Sequence, residues 1–289
     1  MSAIAEIRHH TKVVEETRKI TKAMHMISSS KMKRAVRMHQ LDQAYFNHVR
    51  ASIKFILANS SELTHPFFRH RPGERTAYLV IAADKGLCGA YNQNVLKLVD
   101  QHMKTRNETS IFTIGQMARE HFQRADIMVD VEYLHVIADP QLQDAREITM
   151  ALCELYNLDQ LDEVYVAFTQ MHSVMRQQAQ LLRLLPILKE DFEDVTPLHA
   201  PTFELAFHPS PKAVLDLLVP QYLIGLTYGM LVESFASEQC ARMAAMDAAT
   251  RNADEMLGKL SLSLNRARQG AITQELSEII GGAEALAHI

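Results

Sequence analysis

A chain of 289 residues, 47% hydrophobic and 22% charged, is long enough for one large domain or two modest ones around a real core. Trp is absent and Met reaches 15, which points to adaptable helix packing rather than an aromatic β core. Cys88, Cys153 and Cys240 share no CxxC spacing, which argues against a disulfide framework or zinc knuckle and fits a reducing compartment, and MSAIAEIRHHTK carries no secretory pattern.

Gly and Pro divide the chain into three parts. Residues 1–65 contain neither, and all nine prolines fall between Pro66 and Pro220. Since these residues break regular structure most strongly, the pattern predicts a long helix, a mixed domain and a second long helix, divided as 1–65, 66–211 and 212–289. In the first part Ile20, Met24 and Ile27, then Met38, Leu41, Tyr45, Val49, Ile53 and Ile56, recur in steps that place them on one helical stripe. A helix from about Ala3 to Ala58 would run roughly 80 Å. A stripe that long needs another long helix to cover it.

The net charge of −4 conceals an asymmetry. Residues 1–60 hold eleven Lys/Arg against four Asp/Glu, an excess of seven positive charges, whereas the remainder is acidic. The first segment is therefore expected to face an acidic partner, either nucleic acid or an acidic protein surface. Its basic run Lys31–Arg37 has no interleaved aromatics for base stacking.

The middle part alternates. Apolar, β-branched runs at 77–82, 111–114, 127–136, 164–168 and 181–187 read as strands, and helical patterns fall at 94–103, 116–124 and 142–156. Alternation of this kind predicts a small α/β sheet domain with crossover connections. Segment 188–211, with Pro197, Pro201, Pro209 and Pro211, reads as an irregular return.

The third part supplies the matching helix, expected from Gln221 to about Leu286 and roughly 95 Å long. Leu257, Leu260, Leu264 and Ala267 step by three, four and three, and Ile272, Leu276 and Ile279 carry the apolar character on. Pro220 is expected to kink or break the chain before it. The fold expected is an α/β insert domain on a long antiparallel two-helix coiled coil. Sixteen residues without charge separate Asp216 from Glu233, a run too short for the ~30 Å hydrocarbon core and expected to be a buried helix.

Candidate chemistry is sparse. The turn Asp84–Asn92 follows a strand and precedes a helix, where α/β folds place phosphate loops, but neither GxGxxG nor GxxxxGK[ST] is present. A nucleotide-binding α/β enzyme with coiled-coil arms is the alternative this turn supports. Cys88 near a helix start could be a nucleophile, yet no His or Asp is fixed beside it by spacing, and a buried small residue is the plainer account. Fourteen histidines form no HExxH or His/Cys cluster. No cofactor and no metal are expected. Between Ala241 and Ala253 small residues spread around the helix, which permits close helix approach on one face, and the terminus GGAEALAHI is mostly apolar or small, as suits either a rod that enters a sleeve or a disordered end.

Four segments match a known family. Ile20–Met32 (ITKAMHMISSSKM) resembles the amino-terminal signature of F-type ATP synthase gamma subunits, and Asp84–Asn92 (DKGLCGAYN) is similar to that family's Asp-basic-Gly-Leu-Cys-Gly turn. Ala236–Met246 and Asn265–Leu276 resemble its carboxy-terminal signatures. Ser28–Ser30 stands where the family commonly has alanines. The resemblance implies a central-stalk rotor that couples rotation of the membrane c ring to ATP chemistry in other subunits. It implies partners in the alpha and beta subunits, the epsilon subunit and the c ring, without a membrane span of its own. The location implied is the cytoplasmic face of a bacterial membrane. Carried over by match, Arg242, Gln269, Thr273 and Glu275, with Lys22 and Met24 on the opposing helix, are expected to touch the catalytic subunits.

Overall fold

The computed structural model describes residues 3–59, 65–193, 195 and 210–287. Most of the return expected over 188–211 lies outside these residues, as do the side chains of Leu41 and Tyr45 and most of the apolar tip. The chain packs as two units, Ser28–Arg242 and a second formed by Met1–Ile27 with Met243–Ile289.

The larger unit is built on a five-stranded sheet. In chain order its elements include β1 (Arg75–Ile81), α2 (Tyr91–Met103), β2 (Glu108–Ile114), α3 (Gln116–Arg124) and β3 (Val131–Tyr133). They continue with α4 (Leu142–Asn157), β4 (Glu163–Ser173) and β5 (Arg176–Leu185). The strand order is β3-β2-β1-β4-β5; the first four are parallel and β5 returns antiparallel. Parallel strands need crossovers, which is why β1, β2 and β3 are each followed by a helix before the next strand.

Central strands covered on both faces read as continuous apolar runs, and β1 buries all of Thr76–Ile81. One face carries Tyr78 and Val80 against Val95, Val99 and Phe122 of α2 and α3. The other carries Leu79, Ile81 and Val166 against Ile148, Leu152 and Tyr156 of α4. That second face also receives the two terminal helices, α1 (Ala3–Asn59) through Ile53 and Ile56 and α5 (Pro211–Ala287) through Leu223, Leu231 and Phe235. Each such side chain contributes ~1.5–3 kcal/mol by leaving water. The uncharged run after Asp216 is therefore core: Val219, Leu223, Thr227 and Leu231 are fully buried, and Thr227 accepts a hydrogen bond from Thr149 of α4 at 2.9 Å.

Two expectations are corrected here. Pro220 neither breaks nor delays the helix, which begins at Pro211 and runs through it. Proline removes one helical donor, but burial of Val219, Tyr222 and Leu223 around it holds the helix together. The strand expected over 127–136 shrinks to Val131–Tyr133. Upstream, Asp130 folds back on Ile111 through both backbone and side chain, and downstream His135 adopts a left-handed backbone.

In the smaller unit the ends of the chain run antiparallel. Thr21 and Thr250 meet hydroxyl to hydroxyl at 2.8 Å, and Arg18 pairs with Asp254 at 2.9 Å, so each step up α1 is a step down α5. The residues of α1 that turn inward are Ile4, Ile7, Thr11, Val14, Arg18, Thr21 and His25, in alternating steps of three and four, with Met24 half-buried beside them. The expected stripe at Ile20 and Ile27 is thus displaced by one position: those side chains are 60% and 57% exposed. On α5 the seam passes through Met246, Ala253, Leu257, Leu260, Leu264 and Ala267, as read from the sequence from Leu257 on.

Candidate functional site

In a doubly wound sheet, ligands bind outside the carboxyl ends of the strands, at the point where the strand order reverses. Here that point lies between β1 and β4, because β2 and β3 extend to one side of β1 and β4 to the other. The turn after β1 is closed by its own residues. Asn92 Oδ1 accepts the Ala83 N–H at 2.9 Å, and its Nδ2 reaches Cys88 Sγ at 3.3 Å. Asp84 Oδ1 accepts the Gln116 N–H at the start of α3. Leu87 and Gly89 both have left-handed backbones, φ 63° and 59°. For leucine this conformation costs about 1–2 kcal/mol and persists only where its surroundings impose it.

The crevice has an occupant. Ser234 Oγ accepts the Thr169 N–H of β4 at 3.2 Å, and Ser237 donates to the Thr169 carbonyl at 3.1 Å. One turn further along α5, Arg242 forms an ion pair with Glu238, and its Nη2 donates to the carbonyls of Lys85 (3.1 Å) and Gly86 (3.2 Å). Ala241 packs on the small cluster of Ala83, Cys88 and Tyr91. A helix of the same chain therefore stands where a nucleotide would lie in a dinucleotide-binding domain. That geometry removes the basis for the nucleotide-binding alternative.

The electrostatics agree. Burial pushes the Glu238 carboxyl up while the Arg242 guanidinium pulls it down. Burial also pushes the Cys88 thiol up against the lowering pull of Arg242, which leaves it a thiol rather than a nucleophilic thiolate. The basic run on α1 bears on the same cluster, since Lys31 lowers the Glu238 carboxyl.

The residues expected to touch partners fall in two groups. Arg242 is 9% exposed, with its guanidinium bonded within the chain. The others belong to the smaller unit: Lys22 is exposed and Met24 half-buried, while Gln269, Thr273 and Glu275 are exposed. The Thr273 hydroxyl donates to the Gln269 carbonyl one turn back, so these two share a face. Ala3 lies eighteen residues before Thr21 and therefore faces residue 268, eighteen beyond Thr250. Past Arg268 α5 has no α1 residue opposite it among the described residues, and Ile272, Leu276, Ile279 and Ile280 are exposed there.

A family model described as ATP synthase matches residues 3–286. The ATP synthase gamma chain of Ruminiclostridium cellulolyticum is 43% identical to this chain, covering 97% of it and 98% of the relative. The chain belongs to the ATP synthase gamma family. The "ATP synthase gamma chain, sodium ion specific" of Acetobacterium woodii is 36% identical over 98% of each chain. Among solved structures, a chain of the Euglena gracilis mitochondrial ATP synthase (OSCP/F1/c-ring) superposes with a TM-score of 0.72 at 17% identity, covering 98% of this chain and 94% of that one. A chain of the Tetrahymena thermophila central stalk and c-ring gives 0.62 at 22% identity, over 80% of this chain and 99% of the other. These likenesses confirm the fold: two long terminal helices around a mixed α/β sheet domain. As a gamma chain the protein is a non-catalytic, central-stalk rotor subunit of the synthase.

Sequence reasoning missed the serines. Ser234 and Ser237, three apart on α5, gave no signal in an apolar helix, although two hydroxyls on one face of a core helix do call for a backbone partner. Ser28, which departs from the family's alanine, is buried, so the substitution sets a hydroxyl inside the packing rather than on a free face.

Proposed function

We propose that this gamma chain couples ion-driven rotation of a membrane c ring to ATP synthesis or hydrolysis in catalytic subunits. Residues 1–65 and 212–289 serve as shaft and 66–211 as the α/β domain. The observation that carries this reading is the end of α5: beyond Arg268 it exposes Ile272, Leu276, Ile279 and Ile280 with no α1 residue opposite it among the described residues. Such a face calls for a sleeve formed by other proteins. The alpha and beta subunits would supply it, touching Gln269, Thr273 and Glu275, with Lys22 and Met24 on the opposing helix. The epsilon subunit and the c ring would hold the opposite end, at the cytoplasmic face of a bacterial membrane. The basic face of α1 suits acidic loops of the catalytic subunits.

Energy sets the form of the device. Each ion crossing 100 mV carries ~2.3 kcal/mol, and several must combine per ATP. A single side-chain contact is worth ~1 kcal/mol. The load must therefore be spread along many contacts, which a continuous two-helix seam provides.

The test replaces the segment after Arg268 with a Gly/Ser tail of equal length in the assembled complex. Coupled ATP synthesis should fall several-fold while the complex still assembles. Full coupling with the flexible tail would overturn the rotor reading.

A further inference from the structure

Torque that passes between α5 and the sheet domain must cross the contacts by which one grips the other. Apolar packing of Leu223, Leu231 and Phe235 is non-directional and resists separation better than sliding. Directional bonds are fewer and include Thr149 on Thr227, Ser234 and Ser237 on the Thr169 peptide, and the Arg242 fork. Arg242 is the last α5 residue of its unit, and it grips a loop. Its Nη2 bridges two successive carbonyls, those of Lys85 and Gly86, while Nη1 is tied to Glu238 one helical turn back. A planar guanidinium held at both ends is rigid, as a lysine ammonium would not be. Directly after the clamped carbonyls come Leu87, held left-handed and 66% exposed, and Cys88, buried beneath it.

We infer that Arg242 is a positioning residue that acts through the Asp84–Gly89 turn, locking that turn to α5, rather than a residue that touches a partner subunit. Its family-derived role as a contact is replaced by an internal one. The fork keeps Leu87 in its disfavoured backbone and keeps Cys88 shut in. It also fastens the tip of the β1–α2 connection to the helix that turns. The geometric part stands alone; the mechanical consequence rests on the rotor reading.

The experiment uses the complete synthase carrying Arg242→Ala or Arg242→Lys in this chain. The first readout is site-resolved alkylation of Cys88 by N-ethylmaleimide, with buried Cys153 of α4 as internal reference. In Arg242→Ala, Cys88 should react about tenfold faster, the effect of losing one charged hydrogen bond on a local opening equilibrium, with Cys153 unchanged. Arg242→Lys should fall between, since an ammonium can pair with Glu238 but cannot span both carbonyls. The second readout is the ratio of ATP synthesis to hydrolysis, which should fall in the same order. Cys88 remaining protected in Arg242→Ala overturns the clamp, whatever the coupling does. An opened Cys88 with unimpaired coupling overturns the mechanical part and leaves the rotor reading to the tail replacement. Should Arg242→Ala fail to assemble, Arg242→Lys carries the test, and protection equal to the parent's overturns the inference.

Discussion

Gly115→Ala should leave the sheet domain unable to fold stably, the largest effect expected of any single methylene-scale change in this chain. Gly115 ends β2 and caps α3 with φ 90° and ψ 143°, a backbone that side chains other than hydrogen rarely adopt. A Cβ there would lie 2.1 Å from the Ala82 carbonyl oxygen and 2.9 Å from its carbon. Both obstacles are backbone of the chain leaving the central strand, so no rotamer change relieves them. The surroundings cannot move cheaply either: Ala82 N–H donates to Ile114, and Met117 N–H donates to Ala83. Backbone strain alone costs about 1–3 kcal/mol, and displacing β1 adds to it, against a total stability of roughly 5–15 kcal/mol for a domain. Hydrogen exchange of β1 and β2 amides in the purified chain would read the loss directly. Gly229→Ala is the matched control: nothing lies within 4 Å of its Cβ, and alanine should gain ~1 kcal/mol in helix α5. Normal exchange protection in Gly115→Ala would show that this turn has slack the packing does not reveal.

The sheet domain was legible because buried parallel strands cannot hide: the runs around Leu79, Phe112 and Val166 are apolar on both faces. The long helices were legible from the absence of Gly and Pro over 1–65 and from the spacing of Leu257, Leu260 and Leu264. The first half of the α1 seam was not. Thr11, Arg18, Thr21 and His25 occupy inward positions that an apolar count passes over, while exposed Ile20 and Ile27 attract it. The underlying repeat, Ile4, Ile7, Thr11, Val14, is visible once small polar residues are allowed into the seam. Arg242 shows a different limit. A family match fixes which residue is retained, whereas the partner of a guanidinium depends on where a turn 157 positions away folds back.

Glu233→Gln should stabilise the chain above neutral pH and leave it unchanged in acid. Glu233 lies on α5 beside the Ser234 grip, with its carboxylate drawn to the Met171 backbone, yet burial pushes its pKa up from 4.5 to about 7. Below 4.5 the group is protonated in both folded and unfolded chains and has no effect on stability. As pH rises toward 7 the unfolded chain releases the proton first, so the folded state is progressively disfavoured. Above 7 both states are ionised and the full penalty applies, on the order of 3 kcal/mol at ~1.36 kcal/mol per pKa unit. Glutamine keeps a side-chain acceptor for the Met171 backbone and never ionises. Melting curves of parent and variant should therefore nearly coincide at pH 4 and separate by several degrees at pH 8, the variant higher. An equal separation at both pH values would mean that packing, not charge, distinguishes the two. The site is where the helix holds the β4–β5 hairpin: Ser234 and Ser237 bind the Thr169 peptide two residues before Met171, and Cys240 Sγ lies 4.0 Å from the Met171 sulfur. A charge formed at Glu233 thus loosens the junction that the rotor reading asks to carry load, and the neutral variant should hold it tighter at the pH where the parent is weakest.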